Sequence, residues 1–128
     1  MVEYDDKVKE VIEKAEMVCI GTCGKDGPHL VATWGDYIRT IGIQDTGTIV
    51  IPAGGYRKTE VNLSTNDRVE VIIASKEVEG TNGMGKGFLF SGRGEIQKSG
   101  ELAELATSKY PWARGALVIY VEKIEGLL

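Results

Sequence analysis

The sequence predicts a mainly β fold in which six antiparallel strands form a closed or nearly closed barrel, with short helices at its margins. Short apolar runs rich in β-branched residues recur along the chain and are separated by residues that favour turns. The 17 glycines concentrate between these runs, which indicates tight turns joining neighbouring strands. Because the chain has 128 residues, we expect a single domain over residues 1–128.

Helical periodicity is restricted to three short segments. In residues 5–16 the apolar side chains recur at i, i+3, i+4 and i+7, and Asp5 or Asp6 can cap the first turn. Two further short helices are predicted over residues 59–66 and 100–108, and Ser99 is in position to cap the second of them.

Six strands are predicted, over residues 17–22, 28–43, 48–52, 68–75, 88–97 and 116–124. Asp26-Gly27 marks a hairpin turn between the first two strands, and the long second strand is expected to bend at Gly35. The fourth strand places its valines and isoleucine at positions 69, 71 and 73 on one face. The glycine-rich residues 79–87 predict either a mobile surface loop or a connection packed closely, for example against a ligand.

Composition and charge argue against several classes of function. The formal net charge of −4 disfavours a general nucleic-acid binder, which needs a basic excess. Cys19 and Cys23 have no nearby histidine or second cysteine pair, so we expect free thiols in a reducing compartment rather than a metal site. We find no signal-peptide pattern and no apolar run of membrane-spanning length, and we therefore expect a cytoplasmic protein. His29 is the only histidine and has no evident partner nucleophile, so no catalytic residue is assigned.

Residues 49–62 carry the strongest signal for a binding site. A β-branched strand breaks at Pro52 and a Gly-Gly pair, after which Arg57 and Lys58 precede a helix that begins at Thr59. Glycine amides and a helix N-terminus can together form a small anion site, to which either cation adds a full charge. The spacing is not that of a Walker A loop. The alternative interpretation is a turn that joins a strand to a solvated helix.

Aromatic residues near this stretch suggest a planar ligand. Within a strand, Thr33, Gly35 and Tyr37 would share one face and Trp34 would lie on the other, where it could form one wall of a slot. Trp112 lies in a loop, where tryptophans often mark interfaces. An anion site with aromatic walls fits a flat phosphorylated compound, and flavin mononucleotide (FMN) and pyridoxal phosphate both meet that description. The alternative is that these rings belong to the core.

Four segments together resemble a known family. They are DGPHLVATW (26–34), PAGGYRKTEVN (52–62), GTNGMGKGFL (80–89) and WARGALVI (112–119). In this order and with this spacing, they resemble the small FMN-binding proteins of anaerobic prokaryotes. Those proteins belong to the flavin split-barrel superfamily, which includes pyridoxamine phosphate oxidase. The resemblance implies a six-stranded antiparallel split barrel that forms a homodimer, with one FMN in each of two clefts at the subunit interface.

The resemblance also implies a set of FMN-binding residues, carried over by matched position. Lys58 and Thr59 would hold the phosphate, with the Gly54 and Gly55 backbone close by. Thr33 and Trp34 would flank the isoalloxazine ring, Tyr37 would lie near it, and Pro52 and Ala53 would give backbone contacts. Asn82 and Gly83 would approach the cofactor, and Trp112 and Leu128 would reach it from the partner subunit.

The resemblance favours a redox carrier that exchanges electrons with a partner such as a ferredoxin or a cytochrome. The alternatives are a flavin reductase or other FMN-dependent small-molecule oxidoreductase, and a non-catalytic module that binds FMN or another phosphorylated planar compound. Pyridoxamine phosphate oxidases carry a C-terminal Arg-Leu-x-Pro segment that this sequence does not show, which disfavours an oxidase. A different flavin or a deazaflavin remains open.

Overall fold

The computed structural model describes residues 2–128 and confirms the predicted fold class, a six-stranded antiparallel sheet that curls into a half-barrel with short helices around it. The elements in chain order are α1 (Asp6–Lys14), β1 (Met17–Gly24), β2 (Gly27–Trp34), α2 (Gly35–Ile41), β3 (Thr48–Ala53), α3 (Arg57–Thr65), β4 (Arg68–Glu79), β5 (Met84–Gln97), α4 (Glu101–Lys109) and β6 (Gly115–Leu127).

The strand order of the sheet is β2-β1-β4-β5-β6-β3, and every neighbouring pair is antiparallel. Strands β2 and β3 are therefore the two edges, although they are consecutive in the chain. Over residues 2–128 the sheet is not closed by hydrogen bonds between these edges, and this leaves an opening on which the site described below depends.

The core lies on the concave side of the sheet and is covered by α1. Ile20, Val71 and Phe90 align across three neighbouring strands and are fully buried, and Val11 of α1 joins the same cluster. The predicted apolar face of the fourth strand is confirmed, because Val69 and its alternate neighbours are buried. In β1 and β4 the alternation of side chains separates a buried face from an outer one, whereas β3 is buried at every position.

The predicted long strand over residues 28–43 is wrong in its second half. Strand β2 ends at Trp34, and residues 35–41 form α2. The prediction that Thr33 and Tyr37 share one strand face is therefore wrong as well, because Tyr37 lies in the first turn of α2.

Contacts with α1 explain why this segment is helical despite its β-branched and aromatic residues. The Gly35 N–H donates to the Glu16 carbonyl oxygen at 2.8 Å, and a Cβ at this position would collide with the Ala15 carbonyl oxygen. Arg39 Nη1 donates to the carbonyl oxygens of Ile12 and Ala15 at 2.9 and 2.6 Å. Because Arg39 satisfies carbonyls that the end of α1 leaves free, tertiary contacts override local strand propensity.

The expected cap of α4 needs correction, whereas the close packing that was one alternative for residues 79–87 is observed. Ser99 does not cap α4, which has Gly100 at its N-cap with φ 97° and no side-chain capping bond. Most of residues 79–87 belongs to a β-hairpin, since β4 runs to Glu79 and β5 begins at Met84. The connection is closely packed at Gly80, where a Cβ would collide with the Gly85 carbonyl oxygen.

Both cysteines are on β1 as free thiols, Cys19 partly buried and Cys23 exposed. Across residues 2–128, no helix is both long enough and apolar enough to span a membrane.

The cap of α1 gives a stability prediction. The Asp5 carboxylate accepts a hydrogen bond from the Val8 N–H at 2.9 Å, as the sequence predicts. Asp5→Ala should lower the free energy of unfolding by about 1 kcal/mol, because it leaves a helix N-terminal amide without its partner. Urea denaturation measures this change. Glu13→Ala, an exposed position in the same helix, should change it by less than about 0.5 kcal/mol, and an equal loss at both positions would contradict the capping role.

Candidate functional site

A cavity of about 470 Å³ lies at the opening between the two edge strands. Its lining combines the end of β2, the start of α2, the end of β3, the loop that precedes α3, and the loop after α4. The lining residues are Val31, Ala32, Thr33, Trp34, Tyr37, Pro52, Gly54, Gly55, Tyr56 and Trp112. The curl of the sheet therefore brings together two segments that the sequence separates by about twenty residues.

Seven of the residues implied by the family resemblance line this cavity. They are Thr33, Trp34, Tyr37, Pro52, Gly54, Gly55 and Trp112. Sequence reasoning missed Val31, Ala32 and Tyr56, although all three lie inside the matched segments 26–34 and 52–62. Their contiguity with the assigned residues was the only signal that could have identified them.

Two tryptophans form the exposed walls of the cavity. Trp34 and Trp112 are 52 and 53% exposed, which is unusual for so large an apolar side chain. Trp112 packs in a three-ring cluster, with ring centroids 5.5 Å from those of both Tyr37 and Tyr110. The Tyr37 and Tyr110 rings meet edge-on at 4.9 Å. Trp112 lies on the cavity wall of its own chain. The contact with a flavin of the partner subunit, which the resemblance implies, stays a prediction.

Close packing fixes Trp112 against the loop that precedes α3. A Cβ at Gly54 would lie 3.0 Å from Trp112 Cε3, which is tighter than an ordinary contact, so a side chain at position 54 would require the indole to move by a few tenths of an ångström. A Cβ at Gly55 would meet no atom within 4 Å, so this position tolerates a methyl group. The two adjacent glycines thus have different structural roles.

Tyr56 forms the bend between this loop and α3. It is the N-cap residue of α3 and adopts the left-handed conformation, with φ 62° and ψ 31°. A non-glycine residue in this region is uncommon and is concentrated at functional sites. Burial raises the pKa of the Tyr56 hydroxyl, while the neighbouring Thr33 side chain acts in the opposite direction. Tyr56 is therefore a neutral, partly buried hydrogen-bonding group at physiological pH.

The N-terminus of α3 lies next to the cavity and offers several free donors. Among residues 2–128, no side chain caps this helix, so the amide groups of its first turn remain available. The Thr59 hydroxyl is 1% exposed and has no hydrogen-bond partner within the same residues. Lys58 precedes it and is exposed, whereas Ala53 is fully buried at the end of β3. Because buried polar groups are normally paired, the Thr59 hydroxyl indicates a missing acceptor or donor at this point.

The remaining predicted residues lie elsewhere in the chain. Asn82, Gly83 and Leu128 line a separate depression of about 310 Å³, together with Lys76, Met84 and Gly85. The Thr81 N–H donates to the Leu128 carbonyl oxygen at 2.9 Å and fixes the end of the chain to the β4–β5 hairpin. A single chain therefore does not bring these three residues to the cavity between the edge strands.

The contact between Gly54 and Trp112 gives a second prediction. Gly54→Ala should shift the indole by a few tenths of an ångström, because the new methyl group would lie 3.0 and 3.1 Å from two atoms of its six-membered ring. We expect a changed tryptophan emission spectrum and weaker binding of any ligand in the cavity. Gly55→Ala is the matched control for the position of the indole and should leave the emission spectrum unchanged, since its Cβ meets no atom within 4 Å. Identical spectra for both variants and the wild type would contradict this packing.

Comparison with known proteins identifies the family. The family model for pyridoxamine 5'-phosphate oxidase matches residues 4–127. A protein of Nitratidesulfovibrio vulgaris (strain DSM 19637 / Miyazaki F) named FMN-binding protein is 42% identical over 119 residues, which cover 93% of this chain and 94% of that protein.

Solved structures show the same fold at lower identity. HupZ of Group A Streptococcus has a TM-score of 0.77 at 21% identity, with 99% of this chain and 94% of that chain covered. A FAD-binding protein of Mesorhizobium loti has a TM-score of 0.64 at 18% identity, with 92 and 87% of the two chains covered. From the match over nearly its whole length, and from its 42% identity to a relative of the same size, this chain belongs to the pyridoxamine 5'-phosphate oxidase family.

Proposed function

We propose that this protein binds FMN at the cavity between its edge strands and carries electrons as part of a homodimer. The observation that carries the proposal is the donor set beside the cavity, an uncapped helix N-terminus with a buried, unpartnered Thr59 hydroxyl among the described residues 2–128. The 42% identical relative named FMN-binding protein supports the same cofactor.

The donor set fits a phosphate group. A phosphate at the N-terminus of α3 would accept bonds from free amides and would benefit from the partial positive charge of the helix. The Thr59 hydroxyl would gain its missing partner, and Lys58 would add a full positive charge. Pyridoxal phosphate would use the same donors, so the phosphate end alone does not discriminate between the two ligands.

The size and the walls of the cavity favour the flavin. A volume of about 470 Å³ between Trp34 and Trp112 is in the range of small-molecule sites and is flanked by flat, apolar surfaces. Aromatic walls of this kind suit the three-ring isoalloxazine system better than a single pyridine ring.

The chemistry of the lining favours electron transfer over acid–base catalysis. When bound, the flavin supplies one- and two-electron redox chemistry. Among the described residues, the cavity lining contains Tyr37, Tyr56 and Thr33 as its side-chain hydroxyls, and it contains no histidine, carboxylate, lysine or arginine. These residues can bind and orient the ring system, but they do not provide a group poised to exchange protons with a substrate at neutral pH. An electron carrier needs only residues that bind and orient its flavin.

An apolar outer face supports the homodimer. Met17, Leu30, Trp34 and Ile72 are exposed on the convex side of β1, β2 and β4. The register makes them neighbours, because Met17 lies opposite Trp34 and Cys19 lies opposite Ile72. Contiguous exposed apolar surface is typical of protein interfaces. Since Trp34 belongs both to this face and to the cavity wall, a second copy docked here would cover the cavity edge.

The first test of the proposed function is the chromophore. The purified protein should show a flavin absorbance spectrum, and acid release should yield FMN on chromatography. Anaerobic reduction followed by mixing with ferredoxins and c-type cytochromes should then give fast electron transfer. A protein that is colourless and gains no thermal stability with FMN would contradict the cofactor, and rapid NAD(P)H oxidation without transfer to any carrier would instead support a flavin reductase.

Lys58→Ala gives a third prediction. The variant should bind FMN roughly tenfold to a hundredfold more weakly, because it loses a charge-assisted contact worth about 1–3 kcal/mol. Its affinity for riboflavin, which lacks the phosphate, should stay the same. Fluorescence titration with both ligands measures the difference. Lys25→Ala removes an equal charge at the β1–β2 turn and should leave both affinities unchanged; a Lys58→Ala variant that behaves like this control would remove Lys58 from the site.

Ile72→Glu gives a fourth prediction. A carboxylate in the middle of the outer apolar face should dissociate the dimer, because a buried unpaired charge is unfavourable at an interface. Sedimentation velocity should report a monomer for this variant and a dimer for the wild type. Val61→Glu, at an exposed apolar position on α3, is the matched control and should remain dimeric. A monomeric wild type would refute the proposed assembly.

A further inference from the structure

Arg114 holds three consecutive carbonyl groups of the loop that connects β3 to α3. Its backbone N–H donates to the Ala53 carbonyl oxygen at 2.8 Å. Its Nε donates to the carbonyl oxygens of Gly54 and Gly55, each at 3.1 Å, and its Nη2 donates to Gly55 at 2.7 Å. The Arg114 side chain is 18% exposed; its bond to Gly54 is partly buried, whereas its two bonds to Gly55 are exposed.

This arrangement fixes where the amide groups of the loop point. All the peptide bonds described are trans, and in a trans peptide the N–H is directed opposite to the carbonyl oxygen. With three carbonyls turned towards Arg114, the amides of Gly54, Gly55 and Tyr56 are turned away from it. Among residues 2–128, none of these three amides donates a hydrogen bond to a protein acceptor. They form a row of free donors that leads directly to the uncapped start of α3.

Arg114 also neutralises a carboxylate close to these donors. Its Nη2 lies 2.9 Å from Glu60 Oε1, and Lys98 Nζ lies 3.0 Å from Glu60 Oε2. Lys98 first and Arg114 second lower the pKa of Glu60, which therefore stays ionised and paired. Glu60 is in the first turn of α3, where an unpaired carboxylate would compete with a bound anion for the same donors and repel it.

We propose that Arg114 is a positioning residue for the ligand's phosphate group, which it does not itself contact. The Arg114 side chain binds the Gly54 and Gly55 carbonyls, so it keeps the amides of Gly55 and Tyr56 free and oriented, while its backbone N–H does the same for the Gly54 amide. The side chain also keeps Glu60 engaged, so that a phosphate meets a prearranged donor row. The inference rests on the proposed binding of FMN. On this proposal, the preference for a phosphorylated ligand depends on Arg114, which does not line the cavity. The guanidinium of Arg114 is already bound to carbonyls and to the Glu60 carboxylate.

The test compares FMN with riboflavin, which differ only in the phosphate. Arg114→Gln should lower the affinity for FMN by about tenfold or more, since several charge-assisted contacts lose their fixed geometry, while the affinity for riboflavin changes by less than about threefold. Arg114→Lys keeps the positive charge but cannot bind two carbonyls and Glu60 at once, so it should recover only part of the FMN preference. Arg93→Gln, which removes an arginine paired with Asp67 on another surface, should leave the preference intact.

The outcomes separate this inference from the proposed function. A wild-type protein that binds FMN and riboflavin equally, or binds neither, would refute the proposed phosphate site itself. If the wild type prefers FMN, two results for Arg114→Gln would refute only the role of Arg114. In one, the variant keeps the preference for FMN; in the other, it loses affinity for both ligands equally.

A measurement on the wild type keeps the inference testable if the variants fold poorly. In ¹⁵N-labelled protein, the amide resonances of Gly54, Gly55 and Tyr56 should shift downfield with FMN and much less with riboflavin, because hydrogen bonds to phosphate deshield the donor protons. Resonances that respond equally to both ligands would overturn the proposal.

Discussion

Strands β2 and β3 lie at opposite ends of the sheet order, and over residues 2–128 no hydrogen-bonded pairing joins them across the opening of the half-barrel. The long β4–β5 and β5–β6 pairs set the curl that brings these two edges around one cavity. Free strand edges normally invite pairing with other chains. Here the opening is instead lined with aromatic side chains and glycines, and it encloses a cavity of about 470 Å³, where we propose that the flavin binds.

A three-residue segment after α4 fixes the loop between β3 and α3 from two directions. Trp112 packs its ring against Gly54, Arg114 binds the carbonyls of Gly54 and Gly55, and Ala113 between them is buried. The loop is thereby ordered before any ligand arrives. Such preorganisation would reduce the entropy lost when the proposed ligand binds, although a glycine pair is intrinsically flexible.

The proposed dimer and the proposed cofactor site share Trp34. Its indole is exposed on the convex apolar face and also forms one wall of the cavity. If a second copy covers this face, ligand binding and assembly become linked, because the ligand and the partner would then contact the same side chain. The separate depression near Asn82 and Leu128 lies at the β4–β5 hairpin and shares no lining residue with the cavity of the same chain.

The sequence by itself determined the fold class, the cap of α1, the buried face of β4 and most of the cavity lining. These features depend on local patterns: the spacing of apolar residues, a capping aspartate, and glycines next to aromatic residues, which act over a few positions in the chain. The family resemblance also led directly to Trp34 and Trp112.

Only the tertiary structure decided the features that depend on distant contacts. Residues 35–41 are helical because Arg39 binds carbonyls at the end of α1 and Gly35 binds Glu16 just beyond it, which no local preference for strand could reveal. The role proposed for Arg114 likewise rests on bonds to carbonyls about sixty residues earlier in the chain. Residue type alone gives no signal for such contacts, because their energy arises only when the fold brings the two segments together.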